Sequence, residues 1–374
     1  MKNKNLAVII LSAGYSSRMH IFKPFLKFGK YTAIEKLINT YKNSSVDEII
    51  VVVGHRGREI IEKVRDNKIK FIYNEDYPKG MYTSVLAGVN ALSTHIQAFF
   101  ISPVDIPLIK EHSIETIIKG YINSSKGIIY PSFCKRRGHP PLIDGKYINS
   151  ILNHNGEGGL RKVLRNYEED ALDVPLTDES ILMDMDTEED YIKLLDYHNM
   201  KAPNSRECDE FFNIYDVQDN IKSHSKKVRD LALELLDNYE RYTGYANHIN
   251  REILKAACLL HDIAKKEKKH AHRAADILSK MGYDEVAYII STHMDIIVDE
   301  NEDITANEIL YLADKLVRED KIVPLNIRMQ ETIELYRGNQ EAMDNIVNRY
   351  KMAEKIIKKL KLKIKYLLPY VHVF

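Results

Sequence analysis

Two sets of residues in this 374-residue chain have types and spacings suited to chemistry. In the first, Leu11-Ser12-Ala13-Gly14-Tyr15-Ser16-Ser17-Arg18-Met19 follows an apolar run and leads on to Lys23. A strand that ends in a glycine turn before a helix offers unpaired backbone N–H groups to an anion. Gly14 lets the backbone approach phosphates without a Cβ, while Ser16 and Ser17 donate hydrogen bonds or cap the next helix. Arg18 and Lys23 add fixed and flexible positive charge, which together describe a cradle for a triphosphate. Alone, such a turn is a weak signal, and a structural turn is the default reading. Asp105 follows the apolar run 98–102 and is expected at a strand's carboxyl end, where open α/β sheets place ligands. A carboxylate there can hold Mg²⁺, which bridges triphosphate oxygens and offsets charge on departing pyrophosphate. Asp186 is the natural second carboxylate. Asp184 competes, since a period of two puts both on one side of an extended segment, and a solvated acidic loop is the alternative for either.

The second set is His224, the pair His261-Asp262, and Asp314. A lone histidine on an apolar helical face is usually a packed core residue, and His224, one turn before Val228, taken singly reads that way. The reading changes when His261-Asp262 follow on a second helix and Asp314 on a third. Two imidazoles and two carboxylates converging make a mixed N/O site for a divalent metal with positions open to water. Such a metal lowers the pKa of bound water and supplies hydroxide for attack on phosphorus. Lys265 suits neutralisation of a substrate phosphate, or it joins Lys266, Lys268 and Lys269 in a solvated face.

The elements that must position these groups are legible in the pattern. Residues 6–11, 49–53 and 98–102 read as buried strands, and Ala33–Tyr41 and Gly57–Val64 between them have helical spacing. This alternation predicts a parallel sheet covered on both faces. The run 6–11 after Lys2 and Lys4 imitates a signal peptide, but it is short and ends in a Gly/Ser turn, so a buried strand is expected. The polar stretch His198–Ser205 with Pro203 reads as a linker. Beyond residue 212 strand signals almost vanish. Val228, Leu231, Ala232, Leu235 and Leu236 share one helical face, which predicts an all-helical second half. The basic tail 351–365, with Ile356, Ile357, Leu360 and Ile364, is expected to pack onto its own domain rather than on a membrane surface.

Length alone predicts two domains. The 54 basic and 54 acidic side chains balance, which argues against bulk electrostatic capture of nucleic acid. No apolar run approaches the roughly 20 residues that span a bilayer. Cys134, Cys208 and Cys258 are far apart and form no CxxC pair, so a reducing cytoplasm is expected and no disulfide framework.

The first set resembles the signature of the molybdenum-cofactor nucleotidyltransferases, a small-residue loop followed by serine, Arg-Met and a lysine. Further matches follow in order: Asn74 to Ser84, Pro103-Val104-Asp105-Ile106-Pro107, Gly138-His139-Pro140-Pro141, and the acidic run 183–190. The resemblance implies a Rossmann-like sheet that transfers a nucleoside monophosphate from a nucleotide triphosphate to a phosphorylated acceptor. It implies that Leu11, Ser12, Ala13, Gly14 and Lys23 bind the nucleotide phosphates and that Asp186 completes the metal site. It further implies that Gly80 and Ser84 approach the base, and that Gly138, His139 and Pro140, with the stretch 156–161, face the acceptor. His139 reads equally as an ordinary loop residue. The chain departs from the pattern at His20, where glycine usually follows Arg-Met; a side chain there crowds the loop or adds a cation. Ala13 and the stretch 80–84 look like the cytidylyltransferase form, which favours CTP.

The second set resembles the HD phosphohydrolase superfamily, including the surroundings His261-Asp262-Ile263-Ala264-Lys265 and Leu312-Ala313-Asp314-Lys315-Leu316. His270 and His293 match positions that hold a second metal or contact phosphate in many members, and surface histidine is the alternative. Together the resemblances imply an α/β Rossmann-like nucleotidyltransferase domain (1–198), a linker (199–210) and an all-α HD domain (211–374). The expected substrates are CTP and a phosphorylated acceptor, molybdopterin, with Mg²⁺ at the first site and a divalent metal of unspecified identity at the second. A molybdenum hydroxylase is the expected recipient of the product, and neither nucleic acid nor membrane is an expected partner. Because related folds serve sugar and choline phosphates, a cytidylyltransferase for such an acceptor is the rival, and a cofactor chaperone with a regulatory HD module is a reading of another class.

Overall fold

The computed structural model of the chain describes residues 5–16, 19, 21–244 and 249–361. The candidate residues Arg18 and His20, with Ser17 and Ile364, lie outside them. The chain divides into two compact units, residues 1–200 and 201–374.

The first unit runs β1 (Leu6–Ser12), β2 (Lys27–Phe28), β3 (Tyr31–Thr32), α1 (Ala33–Lys42), β4 (Glu48–Val53), α2 (Gly57–Val64), β5 (Ile69–Tyr73), α3 (Met81–Asn90), β6 (Ala98–Pro103) and α4 (Glu111–Ile122). It continues with β7 (Ile128–Phe133), β8 (Arg136–Arg137), β9 (Leu142–Asp144), α5 (Ile148–Leu152), α6 (Gly159–Arg165), β10 (Ala171–Pro175) and α7 (Glu188–Asn199). The main sheet has the order β10-β7-β9-β6-β1-β4-β5, with β8 paired to β7. Every residue of β1 is buried. Its alternate side chains enter two different cores, Leu6, Val8 and Ile10 on one face and Ala7, Ile9 and Leu11 on the other. That two-sided burial is why the strand reads as a continuous apolar run instead of an alternating one.

Beyond β1 the chain first builds outward through β4 and β5, and then places β6 on β1's other flank. The order therefore reverses beside β1, and the crevice at the carboxyl ends there is where such sheets hold ligands. The sheet is not wholly parallel as expected: β9 runs antiparallel to both β6 and β7. Its three residues, Leu-Ile-Asp, are too few to carry a periodic signal.

The second unit holds α8 (Ser205–Ile214), α9 (Asp219–Thr243), α10 (Arg251–Leu260), α11 (His270–Lys280), α12 (Asp284–Ser291), α13 (Ala306–Leu316), α14 (Leu325–Leu335) and α15 (Gln340–Lys361). Its only strands among the described residues are the two-residue β11 (Val317–Arg318) and β12 (Lys321–Ile322). One apolar core joins α8 to α13 and α15. Ile356, Ile357 and Leu360 of the basic tail enter that core, so this part of the tail packs on its own domain. Among the described residues no helix is long and apolar enough to cross a membrane.

The expected linker 199–210 needs correction. Asn204 and Glu207 form a reciprocal cap at the start of α8, and Ala202 and Cys208 lie in the second core. The polar residues that suggested a connector are a helix cap, and the glutamates inside the helix are buried.

Candidate active sites

The first site is built at the carboxyl end of β1. The chain leaves Ser12 into a loop that, with Lys23 and the residues after β6, borders a cleft of about 510 Å³. Leu11, Ser12, Ala13, Gly14, Lys23, Gly80, Ser84 and Asp105, all expected from sequence, line this one cleft. Ser12 Oγ is buried and has no hydrogen-bond partner among the described residues. Ser16, at φ 58°, turns the loop, and its Oγ accepts from the Lys23 backbone N–H at 3.1 Å.

The second loop is held by Asn74, whose type and position in sequence carry no signal of that role. Buried Asn74 donates through Nδ2 to Thr83 Oγ1 and Ser84 Oγ, both at 2.9 Å, and its Oδ1 accepts from the Asp76 N–H at 3.0 Å. Gly80 stands at φ +115°, a conformation closed to ordinary side chains, and is the N-cap of α3. Tyr15, Tyr77 and Met81 also line the cleft, and the Tyr15 and Tyr77 rings stand 5.0 Å apart. Aromatic residues in a loop carry no periodic signal, so their placement was not readable from sequence.

The acidic run 183–190 has divided duties. Thr187 and Asp190 are the reciprocal cap of α7. The Met185 N–H donates to the Asp105 carbonyl at 3.0 Å, which ties the run to the end of β6. Asp186 Oδ1 lies 2.7 Å from Lys23 Nζ. Burial pushes the Asp105 carboxyl above its ordinary range; Lys23 opposes this, and Asp184 and Asp186 add to it. Asp184 and Asp186 thus both act on Asp105, and Lys23 faces Asp186, but among the described residues these carboxylates do not converge closely enough to form a ready-made cation cage.

Gly138 and His139 do not line this cleft. A Cβ on Gly138 would lie 2.4 Å from the Ile181 carbonyl oxygen, so close packing alone requires glycine there. Burial lowers the His139 imidazole below its ordinary value, against the pull of Asp184.

The second site gathers side chains from five helices and the turns that follow them. His224 lies on α9, His261 is the C-cap of α10 with Asp262 next, His270 opens α11, His293 follows α12, and Asp314 lies on α13. His261 and Asp262 therefore sit just past their helix, where the chain turns inward. His261 Nδ1 is 2.8 Å from the Cys258 carbonyl oxygen, and His293 Nδ1 is 2.7 Å from that of Ile290. A carbonyl only accepts, so Nδ1 carries the proton in both rings and Nε2 is turned to the site. His261 Nε2 is buried without a hydrogen-bond partner, 3.6 Å from both Asp262 Oδ2 and Asp314 Oδ1.

Two triplets have ligand atoms within 4.8 Å of one another: His224, His261 and Asp262, and then Asp262, His270 and His293. Asp262 belongs to both. His270 Nε2 is 3.2 Å from His293 Nε2 and 3.2 Å from Asp262 Oδ1. His224 Nε2 is 3.1 Å from Asp314 Oδ1. Burial disfavours a charged His261, but Asp262 and Asp314 outweigh it and raise its pKa. Burial likewise opposes ionised Asp262, which His261, His270 and Lys265 hold well below the carboxylate range. Burial and the neighbouring His261 bring His293 down to about 3, so it stays neutral. The neutral His293 imidazole beside ionised carboxylates fits a borderline divalent cation.

His224, Asp262, Lys265 and Asp314 line a cleft of about 510 Å³, while His261, His270 and His293 do not border it. Lys265 Nζ is engaged with Asp262 at 2.9 Å, and Lys315, which the sequence reading quoted but did not single out, with Asp314 at 2.8 Å.

Residues 8–171 match the family profile of the MobA-like NTP transferase domain, and residues 221–319 match that of the HD domain. The chain is 30% identical over 187 residues to a molybdenum cofactor cytidylyltransferase of Escherichia coli, covering 49% of this chain and 92% of that one. It is 32% identical over 108 residues to a bifunctional IPC transferase and DIPP synthase of Rubrobacter xylanophilus, covering 27% of this chain and 24% of that one. The chain thus spans about a quarter of that second relative. A solved nucleotidyl transferase from Methanothermobacter thermautotroptrophicus is 20% identical with a TM-score of 0.46, over 52% of this chain and 97% of that one.

Proposed function

For a chain that belongs to the MobA-like NTP transferase family in its first half and carries an HD domain in its second, we propose two reactions on phosphorylated compounds. The first half transfers a cytidylyl group from CTP to molybdopterin, and the second hydrolyses a phosphoester. The finished dinucleotide cofactor passes to a molybdenum hydroxylase.

The observation that carries the transferase reading is the meeting of the phosphate loop, Lys23 and Asp105 in one cleft at the strand-order reversal. An oxygen of the acceptor phosphate attacks the α-phosphorus of CTP, the bond to the β-phosphate oxygen breaks, and pyrophosphate leaves. The loop after Ser12 binds the triphosphate through backbone N–H groups and the unpartnered Ser12 hydroxyl. Lys23 offsets charge on the leaving group. Asp105 and Asp186 would hold Mg²⁺, which supplies charge neutralisation at the phosphates when bound. Gly80 and Ser84, fixed by Asn74, approach the base, and Gly138 and His139 belong to the acceptor side.

In the HD half, His224, His261, Asp262, His270, His293 and Asp314 would hold the divalent metal, which supplies Lewis acidity toward water and phosphoryl oxygens. Lys265 meets the substrate phosphate. The unpartnered, buried Nε2 of His261, directed between two carboxylates, carries this reading.

The test is turnover. Purified protein with Mg²⁺, molybdopterin and CTP should release pyrophosphate, and substituting GTP should abolish most of it. Equal rates with both nucleotides overturn the base assignment, and no pyrophosphate with any acceptor overturns the transferase reading. Phosphate release from a panel of phosphoesters, lost on His261→Ala, tests the second half.

A further inference from the structure

The cleft beside the HD ligands is walled in part by α14 and α15, and both helices lie beyond residues 221–319 that match the HD domain. Arg328, Thr332 and Tyr336 line it at successive four-residue steps along α14 and its cap, and Ile346 and Tyr350 do so on α15. Residues at that spacing share one helical face. A face turned to the body of a domain is ordinarily aliphatic, and no residue of α14 is buried. This face instead carries a guanidinium, a hydroxyl and a phenol.

The cationic side chains of the cleft differ in one respect. Lys265 pairs with Asp262, Lys315 with Asp314, Arg318 with Glu331, and Arg349 with Asp295 at 2.7 Å. Arg328 makes no ion pair among the described residues, and its Nε is buried without a hydrogen-bond partner. This guanidinium lines the cleft without the carboxylate partner that the other cations have, and an anion in the cleft supplies that counter-charge. The planar fork of a guanidinium suits a phosphate or carboxylate. The volume of about 510 Å³ is that of a site for an organic molecule and exceeds the need of a bare phosphate.

We propose that Arg328 seats a second anionic group, so that the HD cleft selects organic phosphoesters bearing two anions, one at the ligand cluster and one on α14. This deepens the hydrolase reading and rests on it for the fate of the first phosphate. Tyr336, Tyr350 and Ile346 offer aromatic and apolar surface to the body between the two anions.

The test compares adenosine 5′-monophosphate with adenosine 3′,5′-bisphosphate on the full-length, metal-loaded protein. The wild type should show a KM for the bisphosphate about tenfold or more below that for the monophosphate, the size of one charge-assisted contact. Arg328→Gln should erase this gap by raising the bisphosphate KM alone, with kcat unchanged, and Arg328→Lys should restore part of it. Equal KM values in the wild type overturn the proposal, as does an Arg328→Gln loss of kcat on both compounds. Equilibrium dialysis of the two nucleotides against wild type and Arg328→Gln separates this from the hydrolase reading, because nucleotide held by the transferase cleft is common to both proteins. Bisphosphate retention that depends on Arg328, without hydrolysis, sustains the second-anion seat and removes the hydrolase. Retention independent of Arg328 removes the seat.

Discussion

Lys23 Nζ lies 2.7 Å from Asp186 Oδ1, joining the segment after β1 to the acidic run across 163 positions of sequence. The lysine stands where it balances carboxylates before any nucleotide arrives. A triphosphate with its cation would take over that balance and free the ammonium for phosphate oxygens. Lys23→Met is therefore expected to lower the rate of pyrophosphate release by about 100-fold or more. A rate within a few-fold of wild type, measured at saturating CTP, would show that the lysine is only a strut.

Asp105 should trade stability for function. Burial raises its pKa above the ordinary 3.8, so the folded metal-free unit holds this proton more tightly than the unfolded chain. Stability from this group is therefore greatest below the ordinary value and declines as pH rises through the raised one. At neutral pH Asp105→Asn should raise Tm slightly while abolishing transfer. Adding Mg²⁺ should stabilise the wild type and leave the variant unmoved. A lower Tm in the variant at neutral pH contradicts the sign.

Asp262 is the residue common to both triplets. Metal content after dialysis, measured by mass spectrometry, should fall furthest for Asp262→Ala. His224→Ala and His270→Ala should each lose less. Chelation of the wild type should remove phosphate release and leave the fold of the first unit unchanged. Equal losses for all three substitutions would mean that the ligands act as one set.

Asp178 is a buried hub of the first unit. Its carboxylate accepts from Ser180 Oγ and Ser113 Oγ, each at 2.6 Å, from the Lys110 N–H at 3.0 Å and from Tyr197 OH at 3.1 Å. Asp178→Ala strands several donors together and should cost about 3–5 kcal/mol in denaturant unfolding. A cost below about 1 kcal/mol would mean that water replaces the carboxylate.

The corrected start of the second unit predicts how the chain can be cut. A fragment beginning at residue 201 keeps Ala202, the Asn204 cap and Cys208, and should be soluble and melt cooperatively. One beginning at residue 211 loses that helix and opens the core, and it should aggregate. Equal behaviour of the two fragments would mean that α8 is dispensable.

Particular residues explain how far the sequence could be read. The strand runs 6–11, 49–53 and 98–102 and the helical segments 33–41 and 57–64 fall within a residue or so of the observed elements, because two-sided burial and helical spacing leave strong signals. The side chains that meet in the HD half, His224, His261, Asp262 and Asp314, were readable by type and order alone. The orientation of the His261 and His293 rings was not, since it depends on carbonyls that only the fold brings near. Nor was Arg328, whose place on the cleft wall depends on where α14 lies. The β9 reversal and the α8 cap were lost for a shared reason: short polar or three-residue segments carry less pattern than the long-range contacts that decide them.

The helices α14 and α15 stand outside the stretch that carries the HD ligands. Substitutions on the 328–336 face can therefore accumulate without displacing any ligand, so the range of compounds admitted can drift while the reactive centre is preserved. A lineage could retune this chain to a new compound through a handful of codons on that partly exposed face, and a directed-evolution library confined to it should yield altered selectivity with little loss of folding.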